Sequence, residues 1–257
     1  MIFIIFFNQP YIDTLNLFKA HIYLIDMIFN ASIHLTRNNM GCTMSITNFY
    51  LCPMSTQQIK EEIAQTIRQY NAKGWSPATS TNYSFKDEND LIWVSRSGID
   101  KSQFHADDFM TVDQEGRAIG EYEGIRPSAE TLIHCVLYEL FPETRVILHS
   151  HSVYPVLISA IREESITFQG YEVQKGFDGV TTHESTVVIP VFDNTQDMNA
   201  FSEVLRSAKQ RMDQPAFIMR KHGTYAWGKN LFEAKRHLET LEYLCQCEWM
   251  LNSNLKS

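Results

Sequence analysis

The sequence predicts one α/β domain in which a mostly antiparallel sheet carries helices packed on its faces. Three observations carry that expectation. Short β-rich segments separated by polar turns share the chain with stretches whose apolar residues recur at helical spacing. No repeat, low-complexity run or linker interrupts the chain after Pro53. The 257 residues, 44% apolar and 20% charged, have the composition of an ordinary globular protein and enough length to bury a sizeable core.

Residues 1–52 differ from the rest and are expected to lie apart from a domain spanning 53–257. Met1–Phe7 is a short apolar burst that Asn8-Gln9-Pro10 breaks. Asp13, Lys19, His21 and Asp26 interrupt the next stretch, so no run approaches the ~20 apolar residues of a membrane span. No Lys or Arg precedes Lys19, so the basic start of a secretory signal is missing. Three readings stay open: an extension with its own role, a stretch upstream of a true start at Met44 or Met54, and a weak targeting segment.

The domain begins with a helix. Ser55 with Gln58 forms a capping-box pattern, and Ile59, Ile63, Ile67 and Tyr70 keep helical spacing until Gly74. Strands are expected at Asn82–Phe85, Leu91–Val94, Phe109–Val112 and Arg117–Ile119, the last two joined by a Gln-Glu-Gly turn. A helix follows Pro127-Ser128, with Leu132, Val136 and Leu140 on one face, and ends near Pro142. Arg145–Leu148 reads as a buried strand, and Ser152 starts a short helix interrupted early by Pro155. Strands at Glu172–Gln174 and Thr186–Val191, a helix at Thr195–Arg211 and a last core strand at Ala216–Arg220 follow. A final helix capped by Asn230, with Glu233 completing the box, runs to about Leu251.

The net charge of −8 gives no electrostatic reason to expect nucleic acid or an anionic membrane as partner, so an anionic ligand must be held by local groups. Five cysteines, an odd number, with Cys135, Cys245 and Cys247 in helix-like stretches, do not suggest a disulfide framework; a reducing, cytoplasmic compartment is expected. Cys245 and Cys247 point about 200° apart on a helix, which disfavours a metal pair.

The expected chemistry centres on Leu148-His149-Ser150-His151. Side chains alternate along a strand, so His149 and His151 face one side. A second strand, Ala216–Arg220, runs into Lys221-His222-Gly223. Three neutral imidazoles with an open fourth position are a catalytic zinc-type ligand set, whereas a structural zinc takes four protein ligands. The other histidines lack such a setting, and His134 and His237, inside helices, are expected to be packed or surface residues.

Five stretches in order resemble the class II aldolase/adducin family. They are Gly74–Ser84, Ser95–Asp100, Arg126–Thr131, Leu148–Ser152 and Arg220–Gly228, within residues 54–251. The Pro-Ala-Thr-Ser and Tyr-Ala-Trp-Gly wording is similar to the family's dehydratase branch, which removes water from a 2-ketose 1-phosphate. The resemblance implies a class II aldolase-like fold, one divalent metal per subunit, zinc above others, on His149, His151 and His222, and a small sugar phosphate as substrate. It also implies a homotetramer. Glu172 matches the dehydratase acid/base, and Glu130 matches the glutamate that aldolase relatives use for proton transfer. Asn82, Ser97, Gly98 and Ser128 match the phosphate-binding loops. Two departures stand out: Thr81 occupies the place of a glycine before Asn82, and Tyr154-Pro155 replaces small or polar residues after the second histidine. The last tyrosine, Tyr243, lies within the final helix, which disfavours the aldolases' tail tyrosine. An aldolase or epimerase of the same fold, or an adducin-like binding module without catalysis, are the alternatives; three convergent imidazoles argue against the module.

Overall fold

The computed structural model describes residues 54–254 and, before them, the backbone of two paired antiparallel strands, β1 (Leu35–Asn38) and β2 (Gly41–Met44). Met1–Pro53 and Met54–Ser257 form separate compact units. Apart from β1 and β2, the expectations for residues 1–52 fall outside the described residues.

The larger unit opens with α1 (Thr56–Ala72), capped as its sequence predicts: the Gln58 amide donates to Ser55 Oγ at 3.3 Å and Gln58 Oε1 accepts from the Ser55 amide at 2.9 Å. Three strands follow, β3 (Tyr83–Lys86), β4 (Ile92–Ser95) and β5 (Phe109–Val112). Next come α2 (Thr131–Leu140), β6 (Val146–Ser150), the short α3 (Val153–Ser159), β7 (Ser165–Phe168) and β8 (Val187–Phe192). The chain ends with α4 (Met198–Ser207), β9 (Ala216–Met219), β10 (Gly223–Gly228) and α5 (Leu231–Asn254). The eight strands β3–β10 form one sheet in the order β5-β4-β3-β6-β10-β9-β8-β7, antiparallel except for the β8–β9 pair.

Several expectations need correction. Glu172–Gln174 is not a strand but part of a 3₁₀ turn, Glu172–Gly176, which the Gln174 side chain closes by accepting from the Tyr171 amide. Arg117–Ile119 makes only a single bridge, Ala118 to Val112, because Asp113 draws the Glu115 and Arg117 amides into a turn instead. Within the larger unit two strands were not expected: β7, and β10, which lies beyond the supposed last core strand and pairs with both β6 and β9. Pro155 does not break α3, since it stands in the first turn, where a missing N–H costs no helical bond.

Strand alternation splits the core in two. On one face Tyr83, Phe85, Val146, Leu148 and Ala226 pack against Ile63 and Ile67 of α1 and Leu238, Leu241 and Leu244 of α5. On the other, Val94, Ile147, Tyr225 and Trp227 pack against Ile133, Val136 and Leu137 of α2 and Phe201 and Leu205 of α4. Burying each such side chain contributes about 1.5–3 kcal/mol. The same alternation aims His149 and His151 toward α2, and Ser150 toward α5.

Candidate metal centre

His149 is fully buried at the end of β6. The β6–β10 register sets Tyr225 opposite it, and the two rings stack with centroids 4.0 Å apart and planes 14° from parallel. β10 can approach this closely because residue 223 is glycine: a Cβ there would come within 2.0 Å of the Ser150 carbonyl and 2.9 Å of the His151 ring. His222 lies in the tight turn from β9 to β10, its amide bonded to the Met219 carbonyl at 3.1 Å, with Lys221 in the left-handed region at φ 55°. Arg220 secures this turn, donating to Asp193 at 2.6 Å and to the Ser159 carbonyl at 2.8 Å.

Glu130 occupies the N-cap position of α2 yet makes no side-chain cap bond. Its carboxylate instead meets the histidines: Oε1 is 3.0 Å from His222 Nε2, and Oε2 is 3.4 Å from His149 Nε2. Tyr225 Oη and Asn82 Nδ2 donate to Oε2 at 2.8 and 2.7 Å. Burial pushes this carboxyl upward, but the hydrogen bond with His222, the facing imidazoles and the Tyr225 hydroxyl outweigh it and hold the group well below the usual carboxylate range. Burial holds His149 far below the ordinary imidazole value and His151 at about 4.

This donor set fits a cation. His149 Nδ1–H donates to the Thr224 carbonyl at 2.9 Å, which leaves Nε2 bare in the neutral ring and only 2.8 Å from His151 Nε2. His222 Nε2 faces Glu130 in the same way; loading of a cation would take that nitrogen's lone pair, with Nδ1–H then donating to Asn194 Oδ1, 3.2 Å away. One ligand atom from each of Glu130, His149, His151 and His222 lies within 4.8 Å of every other. Lone pairs converging in a place that disfavours extra protons are satisfied by a divalent ion, and an N₃O set suits zinc among others.

Beside these residues is a cleft of about 140 Å³, lined by Asn82, Ser97, Gly98 and Ser128 together with Glu130 and His151. All four residues expected to bind phosphate thus line one cleft. Helix α2 begins three residues after Ser128, whose Oγ lies 3.4 Å from both the Glu130 amide and Asn82 Nδ2. Thr81 takes the left-handed conformation at φ 69°, the backbone a glycine would adopt freely, and its hydroxyl bonds Ser76 Oγ at 3.0 Å and Tyr83 Oη at 3.2 Å. Tyr154 packs on the α5 side of the core, where Gln246 reaches its hydroxyl at 3.5 Å.

Glu172 does not join the cluster or line the cleft. It is exposed on its 3₁₀ turn, paired with Lys175 at 2.5 Å and 3.8 Å from His183. The sequence reading missed Tyr225 and Asn194; His134, expected to be packed or at the surface, is packed at 1% exposed. Tyr225 stood within a matched motif, and His134 follows Glu130 by one helical turn, a spacing that puts both on one face. His237 is packed, its Nδ1 donating to the Trp227 carbonyl at 2.7 Å. Cys135, Cys245 and Cys247 are free thiols.

The family model of the class II aldolase and adducin N-terminal domain matches residues 61–249. The chain is 49% identical over 197 residues to a methylthioribulose-1-phosphate dehydratase of Picosynechococcus sp., covering 76% of this chain and 93% of that protein. It is 42% identical over 191 residues to the dehydratase of the same name from Marinobacter nauticus, covering 73% of this chain and 91% of that one. Among solved structures, an L-fuculose 1-phosphate aldolase superposes with a TM-score of 0.64 at 20% identity, over 80% of this chain and 90% of its own. The L-fuculose-1-phosphate aldolase of Thermus thermophilus does so at 0.60 and 21% identity, over 76% and 95%; both likenesses concern the fold.

Proposed function

The chain belongs to the class II aldolase and adducin family, and on that premise we infer that it dehydrates 5-methylthioribulose 1-phosphate to 2,3-diketo-5-methylthiopentyl 1-phosphate, a step of methionine salvage. The relatives of that name support the substrate. The observation that carries the chemistry is the convergence of Glu130, His149, His151 and His222 beside a donor-lined cleft.

The reaction removes the C3 proton and the C4 hydroxyl of the ketose, and the resulting enol becomes the diketone. When bound by His149, His151 and His222, a divalent ion such as Zn²⁺ supplies Lewis-acid stabilisation of the negative charge that develops on the ketose oxygen as C3–H breaks. Asn82, Ser97, Gly98 and Ser128 donate hydrogen bonds to the phosphate, whose charge the chain's net −8 would otherwise repel. Tyr225 and Asn82 hold Glu130 ionised against the histidines. Glu172 takes the C3 proton and returns a proton to the leaving hydroxyl, and Glu130 is the second acid/base. Glu172 is exposed and away from the cleft of its own chain, so this role requires that a neighbouring subunit of the homotetramer bring it to the cleft. The free thiols fit a reducing, cytoplasmic setting; among the described residues no helix is long and apolar enough to cross a membrane.

The test offers the full chain, with Zn²⁺, either methylthioribulose 1-phosphate or fuculose 1-phosphate. Diketone absorbance from the first and no cleavage of the second is the expected result. Cleavage of the second without diketone from the first favours an aldolase. Glu172→Gln should lose turnover and keep metal; if it retains turnover while Glu130→Gln abolishes it, the two carboxylate roles are exchanged.

A further inference from the structure

A chain of hydrogen bonds runs from the α2 side of the core into the cleft. Glu130 Oε2 accepts from Asn82 Nδ2 at 2.7 Å and from Tyr225 Oη at 2.8 Å. A carboxylate oxygen offers only lone pairs, so the Asn82 amide must turn its NH₂ toward Glu130 and its Oδ1 the other way. The atom facing Oδ1 is His134 Nε2, which therefore carries a hydrogen. His134 is 1% exposed, and burial lowers its pKa to about 4, so at neutral pH the ring is uncharged and Nδ1 is bare. Ser84 Oγ, 2.7 Å from Nδ1, must then donate, and it accepts in turn from Tyr138 Oη at 2.8 Å. Every donor in the series Tyr138, Ser84, His134, Asn82 points toward Glu130.

The periodicities of the two elements build this line. Glu130, His134 and Tyr138 are spaced i, i+4, i+8 from the start of α2, and Asn82, just before β3, is spaced i, i+2 with Ser84 within it. With the opposite imidazole tautomer, a bare Nε2 would invite the Asn82 amide to rotate by half a turn. Oδ1 would then face Glu130 Oε2, acceptor against acceptor, and the cleft would lose the Asn82 donor beside Ser128, whose Oγ is 3.4 Å from Nδ2.

We propose that His134 is a positioning residue of this site: its Nε2–H fixes the rotation of the Asn82 amide, which anchors Glu130 toward the histidine cluster and presents a donor to the phosphate. Its effect on turnover rests on the dehydratase reading; its effect on tautomer and metal affinity does not.

The test has three readouts on the full chain. In metal-free protein with ¹⁵N-labelled histidine, NMR should find His134 protonated at Nε2 and bare at Nδ1 at neutral pH. His134→Leu, which removes the donor, should weaken Zn²⁺ affinity in chelator competition and lower kcat/KM for methylthioribulose 1-phosphate, each by about 10–100-fold, as loss of a group that orients a ligand does. His134→Gln, whose side-chain amide can still donate to Asn82, should recover most of both. The opposite tautomer in the parent protein overturns the proposal, as does a folded His134→Leu with unchanged zinc affinity and kcat/KM. Equal impairment of the Leu and Gln variants means that packing alone matters, which also overturns it; should the Leu variant not fold, the tautomer and the Gln variant decide. A parent protein with the expected tautomer but no turnover of this substrate sinks the dehydratase reading and leaves the positioning role standing.

Discussion

Strand β6 separates two carboxylates, the half-buried Glu130 and the buried Glu242, that behave oppositely. On the α2 side, Glu130 faces three imidazoles and accepts from Tyr225 and Asn82, and those partners hold it ionised despite burial. On the α5 side, Glu242 accepts from Ser150 and Ser152, the residues that alternate with the histidines. There burial prevails over the two hydroxyls and pushes the carboxyl up to about 7. Two neutral donors do not offset full desolvation, whereas several donors with basic neighbours do. One face of the strand thus carries an ionised carboxylate among the histidines, and the other a carboxyl that clamps the strand end from behind.

The contrast can be broken first at the metal. His222→Ala removes a ligand and should leave the purified protein with less than about half an equivalent of divalent ion, with turnover falling by more than the 10–100-fold typical of an outer-shell loss; elemental analysis and the diketone assay check both. Next, Glu130→Gln should lower turnover by about 10²–10⁴-fold, the range of a proton-transfer group, while Glu242→Gln keeps it. Equal losses from the two substitutions would mean that the faces are not functionally distinct.

The pH dependence of stability separates the carboxylates by sign. Glu242 has a folded pKa raised above its ordinary 4.5, so its contribution is present in full below about pH 4.5 and lost as pH rises through about 7. In urea unfolding of metal-free protein, Glu242→Gln should therefore gain on the parent by up to about 3 kcal/mol at pH 8 and by nothing at pH 4. Glu130, with its pKa depressed, contributes stability above its ordinary value of 4.5 that is lost on acidification, so Glu130→Gln should cost stability at pH 7 and little in strong acid. A smaller effect is expected where the two faces meet. In Gly223→Ala the added methyl meets the Ser150 carbonyl and both histidine rings, and should cost about 1–3 kcal/mol of stability with weakened zinc binding, read by thermal unfolding and chelator competition.

Much of this was legible in the sequence, for identifiable reasons. Helix α1 announced itself through its capping box, and the alternation of His149, Ser150 and His151 already implied two faces. The histidines and the four residues that line the cleft were legible as positions because each sits at the end of an element with its own local signal. What local signals could not supply was pairing across elements. Strand β10 hid behind the Lys-His-Gly turn, and only its register against β6 shows why Tyr225 belongs to the site. The contact of Asn82 with His134 joins residues 52 positions apart, and that of Ser150 with Glu242 joins residues 92 apart, so neither leaves a trace in a sequence window. Glu172 was misread as strand because Tyr171-Glu172-Val173 has β-like composition, while Gly170, at φ 86°, and the Gln174 side chain turn the backbone instead.

The most direct test of the active face is a metal titration. Protein stripped by chelator and dialysed is supplied with Zn²⁺ in fractions of an equivalent, and diketone formation from methylthioribulose 1-phosphate is followed at each step. Turnover that is absent at the start, rises linearly and saturates at one equivalent per chain is the expected result. Full turnover in the stripped protein, or saturation with zinc and still no diketone, would contradict it.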